Sequence, residues 1–411
     1  MTQKLQKLKR RSYLRQHAMG AAVLGLAACG PAPAADPAPA PVGTAARPAL
    51  KIGVILPFTG PFAASGEDQW NGMELYLQKI GRMMAGRRVE MIKEDSEGKP
   101  DVTLRKARKV VEQDNVDVIA GIFSSAEALG IRDYVDGAKV VTIITNAGAN
   151  DLTRSRKSPY LFRTAFSNWQ WAYPAGPWTA KNVGKKVWTV AGDYAAGREM
   201  QAAFAAGLAK EGGAVENTLW TGQGTSDFQP LLTQVRQARP DVVWSFFGGA
   251  DVLRYVKQYD EFGLLKEIPL VGPAPLTAAD VLPELGQSGL GVRTNTPYTA
   301  ELDTPENKEF VAAWRRAFNR DPSAFSVGGY EGMQFLEAGL QTAAGNTADR
   351  DKLIKALEGT KFNSPRGALQ MDAETHNVAG KSYMVEVVDV GAGKMGQKVL
   401  ADLGTFKDPG I

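Results

Sequence analysis

From Leu50 onward, short apolar runs rich in Val and Ile alternate with longer stretches whose apolar positions recur every three or four residues. The first pattern predicts strands buried on both faces and the second amphipathic helices. Their alternation predicts a parallel sheet covered by helices. Strand runs fall at residues 51–56, 89–93, 116–120 and 140–144. Between them, residues 101–112 place Val102, Ala107, Val110 and Val111 near one helix face, with Arg105, Lys106 and Arg108 outside it. After residues 160–164 the alternation restarts with strand runs at 187–191, 215–219, 241–247 and 268–271. Residues 303–359 read as three nearly consecutive helices, and 383–390 as a late strand. No internal repeat of 20 to 50 residues is visible, which disfavours solenoids and propellers. The pattern predicts two α/β lobes, with late elements that need not belong to the second.

The chain is 411 residues long, beyond one typical core, and its 44% hydrophobic and 22% charged content is that of a soluble globular protein. The apolar run at residues 18–28 is well short of the roughly 20 residues a spanning helix needs. It follows Lys4, Lys7, Lys9, Arg10, Arg11 and Arg15 and no acid, the layout of a secretory signal over residues 1–28. Arg10 and Arg11 open a stretch that also resembles a twin-arginine motif. Export through that route and export through the general one both remain open.

Without those six bases, 42 bases face 44 acids, so the formal charge of +4 becomes −2 for the body. That argues against nucleic acid as the partner. Leu26-Ala27-Ala28-Cys29 resembles a bacterial lipobox, which makes Cys29 the expected lipidation site; cleavage near Ala32-Pro33-Ala34 would instead release a free periplasmic protein. Residues 29–49, rich in Pro and Ala, read as an extended tether. With one Cys and two His, His17 and His376, the chain lacks the parts for His/Cys metal sites, Cys-His catalysis and internal disulfides. No cofactor is expected.

In open α/β sheets, ligands bind outside the carboxyl ends of the strands. Three loops there are small and polar: residues 60–66 with Ser65, 121–125 with Ser124 and Ser125, and 146–150 with Asn146, Ala147 and Gly148. Helix N-termini with serine hydroxyls can seat a carboxylate without a cation; in any one loop taken alone, the serines read first as helix caps. Parts for an enzyme are mostly missing, with no nucleophile elbow, phosphate-binding loop or dinucleotide fingerprint. His376 reads as solvated surface, and Glu94, Asp95 and Glu97 as a solvated turn. A hydrolase using carboxylates alone is the remaining enzymatic reading.

Taken in order, these loops resemble the periplasmic binding proteins of the branched-chain amino acid transport family, the type I solute receptors of ABC importers. The residues that carry the resemblance are Lys51-Ile-Gly-Val-Ile-Leu-Pro-Phe-Thr-Gly-Pro, Gly121-Ile-Phe-Ser-Ser, Leu161-Phe-Arg-Thr, Asp193-Tyr194 and Phe325-Ser-Val-Gly-Gly-Tyr. The resemblance spans about 360 residues. It implies two doubly wound parallel-sheet lobes joined by a three-crossing hinge, with one lobe at 50–165 plus 297–378 and the other at 166–296 plus 379–411. It further implies a monomeric periplasmic protein that closes on a small ligand and delivers it to a permease and its ATPase; a sensor acting on a receptor is the alternative partner reading.

Carried over by position, Ser125 would bind a ligand carboxylate, Ala147 and Gly148 would offer backbone groups, and Tyr194 would close from the second lobe. Ser65 stands where relatives often have an aromatic. Gly148, Ala250 and Ala274 depart from the pattern, replacing a threonine, a frequent aromatic and an acid. Without that acid a free amino acid is poorly served unless Asp251 or Glu127 reaches in. The segments Asn146–Ala149 and Phe166–Gln170 resemble the branch associated with aromatic carboxylates. Trp169 and Trp171 are available to line an apolar pocket, and Trp70 either joins them or packs in the core.

Overall fold

The structure is a computed structural model that describes residues 47–410. The export segment, Cys29 and most of the tether lie outside the described residues. The chain begins with β1 (Leu50–Leu56), α1 (Ala63–Lys79), β2 (Met83–Met84), β3 (Arg87–Asp95), α2 (Pro100–Glu112), β4 (Val118–Gly121), α3 (Ser125–Ala138), β5 (Thr142–Ile144) and β6 (Leu161–Arg163). Strands β3, β1, β4, β5 and β6 lie side by side in parallel. Their continuous apolar runs are what a strand covered on both faces requires.

A second run follows with α4 (Asn168–Ala172), α5 (Ala175–Asn182), β7 (Lys186–Gly192), α6 (Ala195–Ala209), β8 (Ala214–Thr221), α7 (Gln229–Ala238), β9 (Val242–Phe246), α8 (Ala250–Glu261), β10 (Leu270–Pro273), α9 (Leu282–Leu285) and β11 (Arg293–Thr296). Here β8, β7, β9, β10 and β11 form a second parallel array.

The last elements are α10 (Pro305–Phe318), α11 (Ala324–Thr342), α12 (Arg350–Glu358), β12 (Lys361–Ser364), β13 (Gly367–Asp372), β14 (Asn377–Asp389) and β15 (Met395–Phe406). Helix α11 returns to the first array and crosses α1 closely, since a β-carbon at Gly72 or Gly329 would overlap the carbonyl oxygen of Ser326 or Gln69. Strand β14 begins beside β6, at Asn377 opposite Arg163, and continues antiparallel to β11. One strand thus belongs to both arrays. Arg163 fastens this junction: buried, it donates to Asn377 Oδ1 at 2.5 Å, Ala149 O at 2.7 Å and Thr153 Oγ1 at 2.7 Å. Burial lowers its pKa to about 10, which still leaves it charged.

The sequence reading missed the antiparallel strands β12, β13 and β15, and two of its expectations need correction. His376 is buried, not solvated. It stacks on Phe162 at 4.2 Å, and its Nδ1 and Nε2 lie 3.2 Å from Leu161 O and 2.9 Å from Glu358 Oε1. Burial pushes its pKa down, with Glu358 opposing. The polar residues around His376 in sequence concealed this, because its ring points into the junction while its neighbours form the turn. Nor is Glu94 solvated, being buried where Lys106 and Lys109 donate to it at 2.7 and 2.6 Å. Asp95 organises the loop after β1 by accepting from Phe58 N at 2.9 Å and Thr59 Oγ1 at 2.7 Å.

Candidate functional site

A cavity of about 230 Å³ lies where the carboxyl ends of the two parallel arrays face each other. Phe62, Phe123 and Phe325 wall it from the first array; Trp171, Tyr194 and Phe246 do so from the second. Phe123 sits 5.1 Å from Phe62 and 5.5 Å from Phe325 between ring centroids. Tyr194 meets Phe246 edge-on at 6.0 Å. Such rings select ligands by shape with little loss of side-chain freedom.

The polar side of the cavity is made by helix ends. Phe62, Ser124, Tyr194 and Gly249, all lining it, are the N-caps of α1, α3, α6 and α8. First-turn N–H groups have no partner within a helix, and each terminus carries partial positive charge. At α3, the Ser124 hydroxyl accepts from Glu127 N at 3.2 Å while Glu127 accepts from Ser124 N at 2.7 Å. This capping box uses the Ser124 side chain and leaves the first turn at Ser125 and Ala126, both cavity-lining. The backbone that aims this turn is strained: Ile122, a β-branched residue, sits at φ +60. Among the described residues lining the cavity there is no Lys, Arg or His.

The expected site residues divide clearly. Ser65, Ser124, Ser125, Asn146, Gly148 and Tyr194 come together around the cavity. Asn146 is held there by donating to Phe123 O at 2.7 Å. Ala147, Trp169, Ala250 and Ala274 are not among its lining residues. Ala147 faces the hydrophobic core and donates its N–H to Ile122 O at 3.1 Å. Trp169 stacks on Tyr173 at 4.4 Å, beside Phe406, because α4 turns Trp171 inward instead. Trp70 packs against Phe58 at 6.1 Å. Ala250 gives way to Gly248 and Gly249, and Ala274 to its neighbour Pro275.

Neither acid named as an ammonium partner reaches the cavity. Asp251 accepts from Gly224 N at 2.9 Å and pairs with Arg254, whereas Glu127 is occupied by Ser124 and Thr103. The carboxylate that does line the cavity is Asp280, which the sequence reading missed. It follows β10 in the apolar stretch Ala278-Ala279-Asp280-Val281, and an acid in such surroundings was the available signal. Ser65 donates to its Oδ2 at 3.0 Å, while Oδ1 is shielded from solvent and unpartnered. Burial, then Asp68, pushes the carboxyl up to about 6. Asn168 was also missed; its Nδ2 donates to Ser125 Oγ at 3.1 Å and Glu199 Oε2 at 2.8 Å.

The cleft is drawn together by contacts across it. Besides Ser65 with Asp280, Glu199 on α6 accepts from Asn150 N at 2.8 Å. Gly249 stands at φ +62, so close to the first array that a β-carbon would lie 2.5 Å from Pro61 O.

Comparison with known proteins agrees with this geometry. The profile of a family described as periplasmic binding protein matches residues 49–394. The chain is 30% identical, over 88% of its length and 93% of the relative's, to Leu/Ile/Val-binding protein homolog 6 of Brucella melitensis. Two solved structures from Rhodopseudomonas palustris are similar to it. The solute binding protein of an ABC transporter from strain BisB5, in complex with 3,4-dihydroxy benzoic acid, is 36% identical with a TM-score of 0.83, over 88% of this chain and 99% of that one. A second solute binding protein, in complex with benzoate, is 33% identical with a TM-score of 0.83 over the same shares.

Proposed function

Because this chain belongs to the periplasmic binding protein family, in its branched-chain amino acid branch, we propose that it captures a small aromatic carboxylate for import through an ABC permease. Members of the family are extracytoplasmic substrate-binding components of transporters, and their ligands are amino acids or aromatic carboxylates. The observation that carries the choice between these is the cavity itself: walls of six aromatic rings, converging helix N-termini and, among the described residues, no cation. A carboxylate suits the α3 terminus at Ser125, and a ring suits the walls. At Gly148 there is no room for the threonine that would help hold an ammonium, because Asn168 fills that space.

The complexes of the two similar proteins with benzoate and 3,4-dihydroxy benzoic acid support the same reading. In this proposal the protein is a non-catalytic monomer, anchored to the membrane through lipidated Cys29. Ligand binding stabilises the closed cleft by its differential affinity for it.

Thermal unfolding of the protein against benzoate, hydroxybenzoates, leucine, valine and phenylalanine tests the ligand class. A ligand at a thousand times its Kd adds about 4 kcal/mol, a shift of several degrees. Stabilisation by aromatic acids and not by amino acids is the expected result, and Ser125→Ala should reduce it. Stabilisation by leucine or valine alone would overturn the proposal.

A further inference from the structure

Asp280 carries the one carboxylate among the described residues lining the cavity, and it is only half satisfied. Its Oδ2 accepts from Ser65 across the cleft, and Oδ1, which the closed cleft shields from solvent, has no donor among the described residues. The surrounding chain supplies none, since Arg320 is taken by Asp68, to which Ser323 also donates. An ionised oxygen left unpartnered in an apolar enclosure is a costly arrangement, and it persists where a ligand completes it. A ligand in the cavity is placed to supply the missing donor.

Two donors could fill that place, an ammonium or a hydroxyl. An ammonium brings a full positive charge and three N–H donors into a cavity ringed by the positive ends of α1, α3, α6 and α8, with one unfilled carboxylate oxygen to meet it. A ring hydroxyl brings no charge and one O–H, which matches one open acceptor. We infer that Asp280 is a specificity-determining residue that favours aromatic carboxylates bearing a ring hydroxyl, by accepting the O–H at Oδ1. The carboxyl's pKa of about 6, raised by burial and Asp68, leaves it mostly ionised, hence an acceptor, at neutral pH. This inference rests on the aromatic-carboxylate reading above and adds the second pole of the ligand.

Isothermal titration of the protein at pH 7.5 with 3- and 4-hydroxybenzoate, their fluoro counterparts and leucine tests it, since fluorine matches a hydroxyl in size and lacks the donor. At least one hydroxybenzoate should bind about tenfold or more tighter than its fluoro counterpart. In Asp280→Ala that advantage should fall below about threefold. If Asp280→Ala does not fold, the comparison within the unaltered protein still decides.

Equal binding of the hydroxy and fluoro acids, or discrimination that survives Asp280→Ala, would overturn the inference while leaving the aromatic-carboxylate reading intact. Leucine binding that is lost in Asp280→Ala would overturn it and assign Asp280 to an ammonium. Failure of every aromatic acid to bind would remove the underlying reading and this inference together.

Discussion

Asn168 occupies the space that a side chain at Gly148 would need: a β-carbon there would overlap its Oδ1. The amide in turn donates to Ser125 and Glu199, so it ties the first turn of α3 to the opposite side of the cleft. Gly148→Thr should therefore cost about 1–3 kcal/mol through overpacking, measured by urea unfolding. Adding Asn168→Ala should recover part of that loss, a non-additivity expected of two residues competing for one volume.

Closure depends on Gly249. Its positive φ and its approach to Pro61 O leave no place for a β-carbon when the two sides meet. Gly249→Ala should raise the ligand Kd by roughly tenfold or more, about 1.4 kcal/mol or more. The positive φ strains a side chain in the open protein as well, so Gly249→Ala should also lower stability without ligand, while the clash with Pro61 O adds its cost only when the sides meet. Titration calorimetry beside thermal unfolding without ligand separates the two effects.

Glu199 is the corresponding polar clasp, accepting from Asn150 N across the cleft and from Asn168 Nδ2 on its own side. Glu199→Ala should cost about 1–3 kcal/mol of closure through the unpaired donors it leaves. Small-angle scattering should then show a larger radius of gyration for the variant than for the original protein at the same subsaturating ligand concentration.

The stability of the closed form should carry the signature of Asp280, since burial and Asp68 act on it when the sides meet. Its carboxyl is held at about 6 by burial and by Asp68, with Ser65 and Arg320 opposing, against 3.8 for an ordinary aspartate. Between those values the folded protein keeps a proton that the unfolded chain has released. The contribution therefore stabilises below about pH 4 and is lost as pH rises through about 6. Asp280→Asn should accordingly raise stability at pH 7.5 relative to pH 4, by up to about 3 kcal/mol. Chemical denaturation at the two pH values measures it.

Most of the parallel framework was legible because strands buried on both faces are nearly uniform in character, as in Leu50–Leu56 and Val242–Phe246. The antiparallel β15 was not, since Met395–Phe406 mixes Gly, Lys, Gln and Asp with its apolar residues and is mostly half-exposed. Loops directly after strands pointed to Ser65, Ser125 and Gly148, whose places follow from topology. Asp280 lies in a connection, where neither periodicity nor strand ends indicate which side chain turns inward. Trp169 and Trp171 show the same limit, for two residues apart on a short helix decides which one faces the cavity.

Among the described residues lining the cavity there is no cation, and this bears on how a ligand would leave. A carboxylate paired with an arginine would keep much of its attraction on whichever side carried the charge after the cleft opened. For the proposed carboxylate the attraction would come from partial charges at helix ends, which are strong only while water is kept away, because the interaction weakens as the surrounding dielectric rises. Opening the cleft admits solvent and weakens the hold in the same movement. Retention is thus tied to enclosure, and handing over the cargo requires no competing ion.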